Sequence, residues 1–373
     1  MKLLMVTDTF VKKDETGQGY ALEPVQREVD GFSHLFDNIT WIGYDWSRIK
    51  KNKFLSPVKS ANIDIRVINA AGGRTILKKA EAVFTGLSLI PLLIKEIRKH
   101  DVIHTRGPSM PALFAVALSF MFRKKIFWNK FAGNWKQENA PLSYSFLRNL
   151  LTRASFSKVT INGKWEGQPA HCLSFENPCL TDEELQEGER NILQKDYAGK
   201  LDFCFIGRIE AAKGVGRILN MFEQLGDHPK VGTVHFIGEG DAKEGYEKRA
   251  SSLPVKIAFH GYLSREKVVD ILEQCHVFLL LSESEGFPKV IAESANYGCI
   301  PFVSDVSSIG QYIKNGYNGF ITNDLSDKNL VKILSRILEE KGLKRYALNL
   351  REMLDKYTYS YYSERIKTEI LNR

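Results

Sequence analysis

Two glutamates, Glu285 and Glu293, stand eight positions apart in "EGFPKVIAE", just after the apolar run "HVFLLLS" (276 to 282). Acidic residues near a helix start stabilise its dipole and need no other purpose. Chemistry is the second reading. Gly286 lets the backbone approach a ligand, Pro288 suits the first position of a helix, and the amides of residues 287 to 290 (Phe287, Pro288, Lys289, Val290, the proline lacking its N–H) would face an anion. A carboxylate on either side could then accept hydrogen bonds from sugar hydroxyls. Upstream, "FIGRIEAAKGV" (205 to 215) ends a strand at Gly207 and places Arg208 and Lys213 before a helix opening at Gly214. Two cations beside helix amides make a diphosphate site, and a surface Arg and Lys in a loop is the equal alternative. A third stretch, "TDTFVKKDETGQGYALEP" (7 to 24), carries Gly17 and Gly19 in what reads as a long loop between the first strand and a helix. It does not match G-x-G-x-x-G, which disfavours a nicotinamide-binding domain.

Such loops need strands that end at them. Apolar strand-like runs alternate with amphipathic helical ones through both halves, the pattern of an α/β chain with doubly wound parallel sheets. Strands are predicted at 2–6, 39–43, 63–67, 102–105, 126–129 and 158–162, then at 201–208, 233–240, 256–261, 276–282 and 300–304. Helices fall between, the first two at 21–36 and 76–99, and the seam is predicted within "FENPCLTDEEL" (175 to 185), where Asn177-Pro178 breaks regular structure. The expected division is 1–178, 179–355 and a final helix, 356–373, that either crosses back to the first domain or caps its own. Ligands of open parallel sheets bind beyond the carboxyl ends of the strands.

With 373 residues, 43% hydrophobic and 26% charged, the chain can bury two sizeable cores. The longest apolar run, 110–122, is too short to span a bilayer, and "MKLLMVTDTF" reads as a buried strand rather than a secretory signal. Five cysteines without metal spacing point to a reduced, cytoplasmic setting. The net charge of +8 favours anionic partners. Basic stretches at 47–59, 76–84 and 123–125 are solvated surface or a contact for anionic lipid at the inner face of a membrane; no aromatic-basic RNA motif accompanies them, and no nucleic-acid partner is expected.

The order "GRIEAAKG", "EGFPKVIAE", "GCIPFVSDVSSIGQYIKNGYNGFI" resembles the retaining glycosyltransferases of group 1, or family 4, whose marker is E-x7-E. The resemblance implies the GT-B fold: two Rossmann-like domains facing a cleft, the second holding a nucleotide-sugar donor and the first a glycan or lipid-linked acceptor. Carried over, Arg208 and Lys213 stabilise the departing diphosphate, Glu285 contacts the donor sugar, and Glu293 holds the ribose. Gly207 and Gly286 to Val290 border the phosphates, Tyr262 and Leu263 the base, and Gly17 and Gly19 close over the donor. No cofactor or metal is implied, and no D-x-D clamp occurs. One departure concerns the acceptor side. Where relatives carry a His, "IFWNKFAGNWKQE" (126 to 138) has none, and Asn129, Lys130 or Asn134, with Arg106 on a neighbouring strand end, are the candidates in its place. An epimerase or hydrolase on the same fold, or a non-catalytic sugar-nucleotide-binding subunit, stays open.

Overall fold

The computed structural model describes residues 1–46, 55–70, 84–137 and 139–372. Lys78 and Lys79, with the start of the helix predicted at 76–99, lie outside the described residues, as do residues 47–54 of the first basic stretch. The chain divides into two compact units, Met1–Cys179 together with Tyr359–Arg373, and Leu180–Thr358.

The first unit is built on a nine-stranded sheet. Its strands are β1 (Lys2–Lys13), β2 (Gly19–Leu22), β3 (Asn38–Asp45), β4 (Leu55–Pro57), β5 (Ile63–Ile68), β6 (Val102–Gly107), β7 (Ile126–Phe131), β8 (Lys158–Ile161) and β9 (Cys172–Ser174). The parallel part runs β5-β3-β1-β6-β7-β8-β9. Alternation along β1 explains why it lies at the centre. Leu3 and Met5 enter one core with Trp41 and Trp128, whereas Leu4 and Val6 enter another with Ile42, Ile97 and Ala115. A strand buried on both faces reads as continuous apolar sequence, which made it easy to find. The helices are α1 (Glu23–Phe32), α2 (Ile90–Lys99), α3 (Met110–Ser119) and α4 (Leu142–Arg153).

The stretch from 7 to 24 corrects the loop reading. β1 continues to Lys13, turns through residues 14–18 and returns as β2, antiparallel to it. Asp14 holds the turn by accepting from the amides of Thr16 and Gln18. Gly17 sits in that turn at φ +89°, and Gly19 opens β2 with its Cα against Ile65. Paired apolar runs flanking Asp-Glu-Thr-Gly are a hairpin signal, and here it prevails over the glycine-loop reading.

The second unit has six parallel strands, β10 (Leu201–Ile206), β11 (Val231–Ile237), β12 (Lys256–Gly261), β13 (Val277–Leu280), β14 (Ile300–Ser304) and β15 (Phe320–Thr322), in the order β12-β11-β10-β13-β14-β15. Around it lie α5 (Asp182–Gln194), α6 (Val215–Leu225), α7 (Lys243–Ala250), α8 (Arg265–Gln274), α9 (Lys289–Asn296), α10 (Ile309–Tyr312), α11 (Asp327–Glu339) and α12 (Leu343–Leu354). The sequence reading missed α5, treating its start as linker. Its signal was present: Thr181 accepts from the Glu184 amide and Glu184 from the Thr181 amide, a capping box written as T-D-E-E.

After Thr358 the chain re-enters the first unit as α13 (Tyr359–Arg365), followed by a wider turn through Leu371. Gly31 of α1 makes room for it, since a Cβ there would lie 2.9 Å from the Tyr359 ring. All five cysteines are free and buried. Among the described residues no helix is long and apolar enough to cross a membrane.

Candidate functional site

In the second unit the carboxyl ends of β10 and β13 carry the two loops singled out above. The first passes Gly207, forms a single helical turn over Ala211–Lys213, and enters α6 through Gly214. Gly214 has φ +81°, and a Cβ there would stand 2.2 Å from the Leu281 carbonyl oxygen, so only glycine lets the two loops approach so closely. Their backbones are joined directly, the Glu283 amide donating to Ala212 O at 3.0 Å. From α6, Arg217 donates to Leu281 O at 3.2 Å and to the Glu283 carboxylate at 2.6 Å.

This arrangement brings Lys213 and Glu285 together: Lys213 Nζ donates to Glu285 Oε1 at 2.6 Å, with Glu285 9% exposed and Lys213 29%. The pair holds the carboxylate in place while leaving the ammonium accessible to a ligand. Arg208 is not part of it. Its side chain is 70% exposed and its ion pair is with Glu210, at 3.8 Å.

Pro288 is the N-cap of α9, with ψ 123°, rather than its first residue as expected; Lys289 and Val290 open the helix. Phe287 turns inward and packs on Tyr312 and Tyr357, ring centres 4.7 and 5.2 Å away, so its side chain anchors the turn. Glu293, one turn into α9, receives Arg265 Nη1 at 3.0 Å, while Arg265 Nε goes to Glu184 at 2.7 Å. Burial opposes the Arg265 charge, but the two carboxylates outweigh it and raise its pKa above the ordinary range. Helix α5 thus reaches the site through Glu184, and also by direct contact: Asn296 Nδ2 donates to Glu184 O at 2.8 Å, and a Cβ on Gly188 would meet Asn296 O at 2.2 Å. Neither Glu184 nor Arg265 had been picked from the sequence. Tyr262 and Leu263 follow Gly261 at the end of β12, with Tyr262 exposed. Among the described residues no group of three or more His, Cys, Asp or Glu has the geometry to hold a metal.

At the carboxyl edge of the first unit's sheet the candidates fare differently. Asn129 is fully buried, accepting from Thr105 Oγ1 at 2.8 Å and donating to Ser157 at 3.2 Å, so it ties strands together and faces no acceptor. Lys130 is also buried, and it shares a carboxylate with Arg106: Glu28 Oε1 receives Lys130 Nζ at 2.6 Å and Arg106 Nη1 at 2.5 Å. Glu28, on α1, had no sequence signal beyond being a charged residue on a helix. Tyr362 of α13 brings its hydroxyl to the same oxygen at 3.4 Å. Asn134 caps a local turn, accepting from the Lys136 amide. His104 stacks on Trp128 at 3.7 Å and gives its Nδ1 proton to Trp128 O; burial first, then the Arg106 charge, push its pKa down to about 3.

Residues 189–361 match the model of the glycosyl transferases group 1. Over that segment the chain is similar to the group 1 glycosyltransferases. An uncharacterized glycosyltransferase of Methanocaldococcus jannaschii is 23% identical over 171 residues, 45% of this chain and 44% of that one. The N,N'-diacetylbacillosaminyl-diphospho-undecaprenol alpha-1,3-N-acetylgalactosaminyltransferase of Campylobacter jejuni is 32% identical over 87 residues, 23% of each chain. The chain thus aligns with less than half the length of these two relatives. Among solved structures, HepE of Anabaena in complex with UDP superposes with a TM-score of 0.68 over 98% of both chains at 15% identity. At that identity the likeness shows the fold, which is GT-B. The matched segment contains Lys213, Glu285, Arg265 and Glu293.

Proposed function

We propose that the protein is a retaining, metal-independent glycosyltransferase, moving a sugar from a UDP- or GDP-sugar to a hydroxyl of a glycan or lipid-linked glycan in cell-surface polysaccharide synthesis. The observation that carries this is the Lys213–Glu285 pair at the carboxyl edge of the second sheet, with the Arg265-held Glu293 on the same helix as the turn. HepE's complex with UDP favours a uridine donor. Lys213 would neutralise charge on the leaving diphosphate, assisted by Arg208 and the first amides of α9, and such stabilisation contributes most where charge develops. Glu285, already held by Lys213, would accept hydrogen bonds from the donor sugar as a positioner. Glu293 has a second oxygen for the ribose while Arg265 orients the first. Cations in these places would do the work a divalent metal does in other transferases. The acceptor hydroxyl would attack from the face the diphosphate leaves, passing its proton to the departing phosphate oxygen.

The protein would work in the cytoplasm, peripherally at the inner membrane face, where each Lys or Arg near anionic lipid contributes about 1 kcal/mol. Incubation with UDP-, GDP- and ADP-sugars and a membrane extract should release nucleoside diphosphate in a sugar-dependent, chelator-insensitive manner. Loss of release on adding EDTA would overturn the metal-free assignment, and no release from any donor would overturn the transferase.

A further inference from the structure

Arg265 stands against a local preference. It is the first residue of α8, where the helix dipole disfavours a cation, and a residue that breaks a local rule is one the tertiary structure has a use for. The use is a bridge. Arg265 Nε donates to Glu184 Oε1 at 2.7 Å and Nη1 to Glu293 Oε1 at 3.0 Å, so one guanidinium joins carboxylates carried by two other helices, α5 and α9. A guanidinium is planar and rigid, and anchoring its Nε on Glu184 decides where Nη1 points. The three side chains are 18% to 22% exposed, so water and salt screen their charges only in part.

Glu184 is held as firmly as what it holds. Its second oxygen, Oε2, accepts from the Thr181 amide at 2.8 Å, and its own amide donates to Thr181 Oγ1 at 3.1 Å. Its carbonyl accepts from Asn296 Nδ2 at 2.8 Å, and the buried Asn296 lies three residues past Glu293 on α9. Gly188, one turn further along α5, lets the two helices come this close, since a Cβ there would meet Asn296. Glu184 therefore fixes Glu293 twice, through Arg265 at the carboxylate and through Asn296 at the helix that carries it. The capping box accounts for one oxygen of Glu184 and leaves the other, the one facing Arg265, to be explained.

We infer that Glu184 is a positioning residue for nucleotide recognition: acting through Arg265, it holds the Glu293 carboxylate at the angle from which its other oxygen tells a ribonucleotide from a deoxyribonucleotide. The inference rests on the reading of Glu293 as the ribose contact and adds what makes that contact selective.

Full-length wild type, Glu184→Gln, Arg265→Lys and Thr181→Ala are titrated calorimetrically with UDP, 2′-deoxy-UDP and 3′-deoxy-UDP, and with the corresponding guanosine set. Glutamine at 184 keeps the volume and can still accept from Thr181, so the cap survives while the charge facing Arg265 is lost. Lysine at 265 keeps the charge and loses the planar bridge. Thr181→Ala removes the hydroxyl that caps α5 and leaves the Glu184 carboxylate intact. The wild type should bind its ribonucleotide about 10- to 100-fold tighter than the weaker deoxy analogue, the worth of a hydrogen bond to a charged group. In Glu184→Gln and Arg265→Lys that ratio should fall by about 3- to 10-fold through weaker ribonucleotide binding, the deoxy analogue staying within about twofold of wild type. Thr181→Ala should lower the melting temperature by about 2–4 °C and leave the ratio unchanged. A wild-type ratio in Glu184→Gln or in Arg265→Lys overturns the positioning role, and so does an equal fall of the ratio in Thr181→Ala, which would trace it to helix stability. Equal binding of ribo- and deoxynucleotides by the wild type overturns the ribose contact and the inference built on it. Binding of none of these nucleotides overturns the donor site itself, a result distinct from the others.

Discussion

The two sheets share one strand order about their first strand, yet their carboxyl edges are furnished in opposite ways. In the second unit the loops after β10 and β13 close on each other through Gly214, and the charged pair Lys213–Glu285 remains partly open to solvent. In the first, Arg106 and Lys130 converge on one buried carboxylate oxygen of Glu28, and Asn129 is spent between strands. The difference teaches where each edge can do chemistry. Partly exposed charges held by backbone are ready for a ligand, whereas charges that satisfy one another in the interior specify structure. In the first unit Asp8, exposed between the buried Thr7 and Thr9, keeps the open character of the second.

The largest expected effect lies on the open edge. Lys213→Ala and Glu285→Ala should each lower transfer by about 100- to 1000-fold, the range seen when one stabilising group is removed from a developing charge. Circular dichroism and melting should show the fold intact, since both side chains are partly exposed and sit in the loops after β10 and β13 rather than on a core face. Full activity in both purified variants would erase the contrast between the edges.

The buried edge should respond in stability. Glu28→Gln keeps the volume but leaves Arg106 and Lys130 without the carboxylate they share, and stripping one partner from a buried ion pair costs about 3–5 kcal/mol. Urea unfolding measures it. A loss under about 1 kcal/mol, the usual value of an exposed pair, would mean the cluster is hydrated and more like the second unit than the burial of Glu28 indicates.

A smaller effect comes from pH. His104 stays neutral in the fold until about pH 3, whereas in the unfolded chain it takes up a proton near its ordinary 6.5. The unfolded state therefore binds more protons between those values, so this contribution is complete above about pH 6.5 and is lost as pH falls toward 3. Melting temperatures recorded from pH 7 to pH 4 should fall less steeply for His104→Phe than for wild type. Identical slopes would show that other groups set the acid sensitivity.

How far all this could be read beforehand depended on whether a feature is local in the chain. Strands such as β1, β6, β10 and β13 were visible because burial on both faces writes an unbroken apolar run. The turn at Gly286–Pro288 and the Lys213 loop were visible because glycine and proline mark sharp turns locally. The site's supporting residues were not. Glu28 meets Arg106 across 78 positions and Arg265 meets Glu184 across 81, and no local pattern announces a pairing over such distances. The register break between Val6 and Phe10 was hidden for a related reason: Thr-Asp-Thr continues a strand's alternation, and the pairing with β3 is what reveals the shift. Two misses could have been avoided by local reasoning: helix α5, through its capping box, and the β1–β2 hairpin, through its turn residues.

The smallest expected effect separates two views of the closed edge. Tyr362 sits against Phe32, Trp128 and Phe175 with ring centres 6.5, 6.3 and 5.8 Å away, and its hydroxyl lies 3.4 Å from Glu28 Oε1. That oxygen already receives Lys130 and Arg106 at much shorter range, so the hydroxyl adds a long, weak bond to a carboxylate largely satisfied without it. Tyr362→Phe keeps the ring and should cost under about 1 kcal/mol, the net value of a modest hydrogen bond. Removing the ring as well, in Tyr362→Ala, should cost about 3–5 kcal/mol, as for other large aromatic side chains in cores. If the phenylalanine variant alone lost more than about 2 kcal/mol in urea, the hydroxyl would be a full member of the charge network. The C-terminal segment would then fix the positions of Arg106 and Lys130 electrostatically, rather than by filling space behind them.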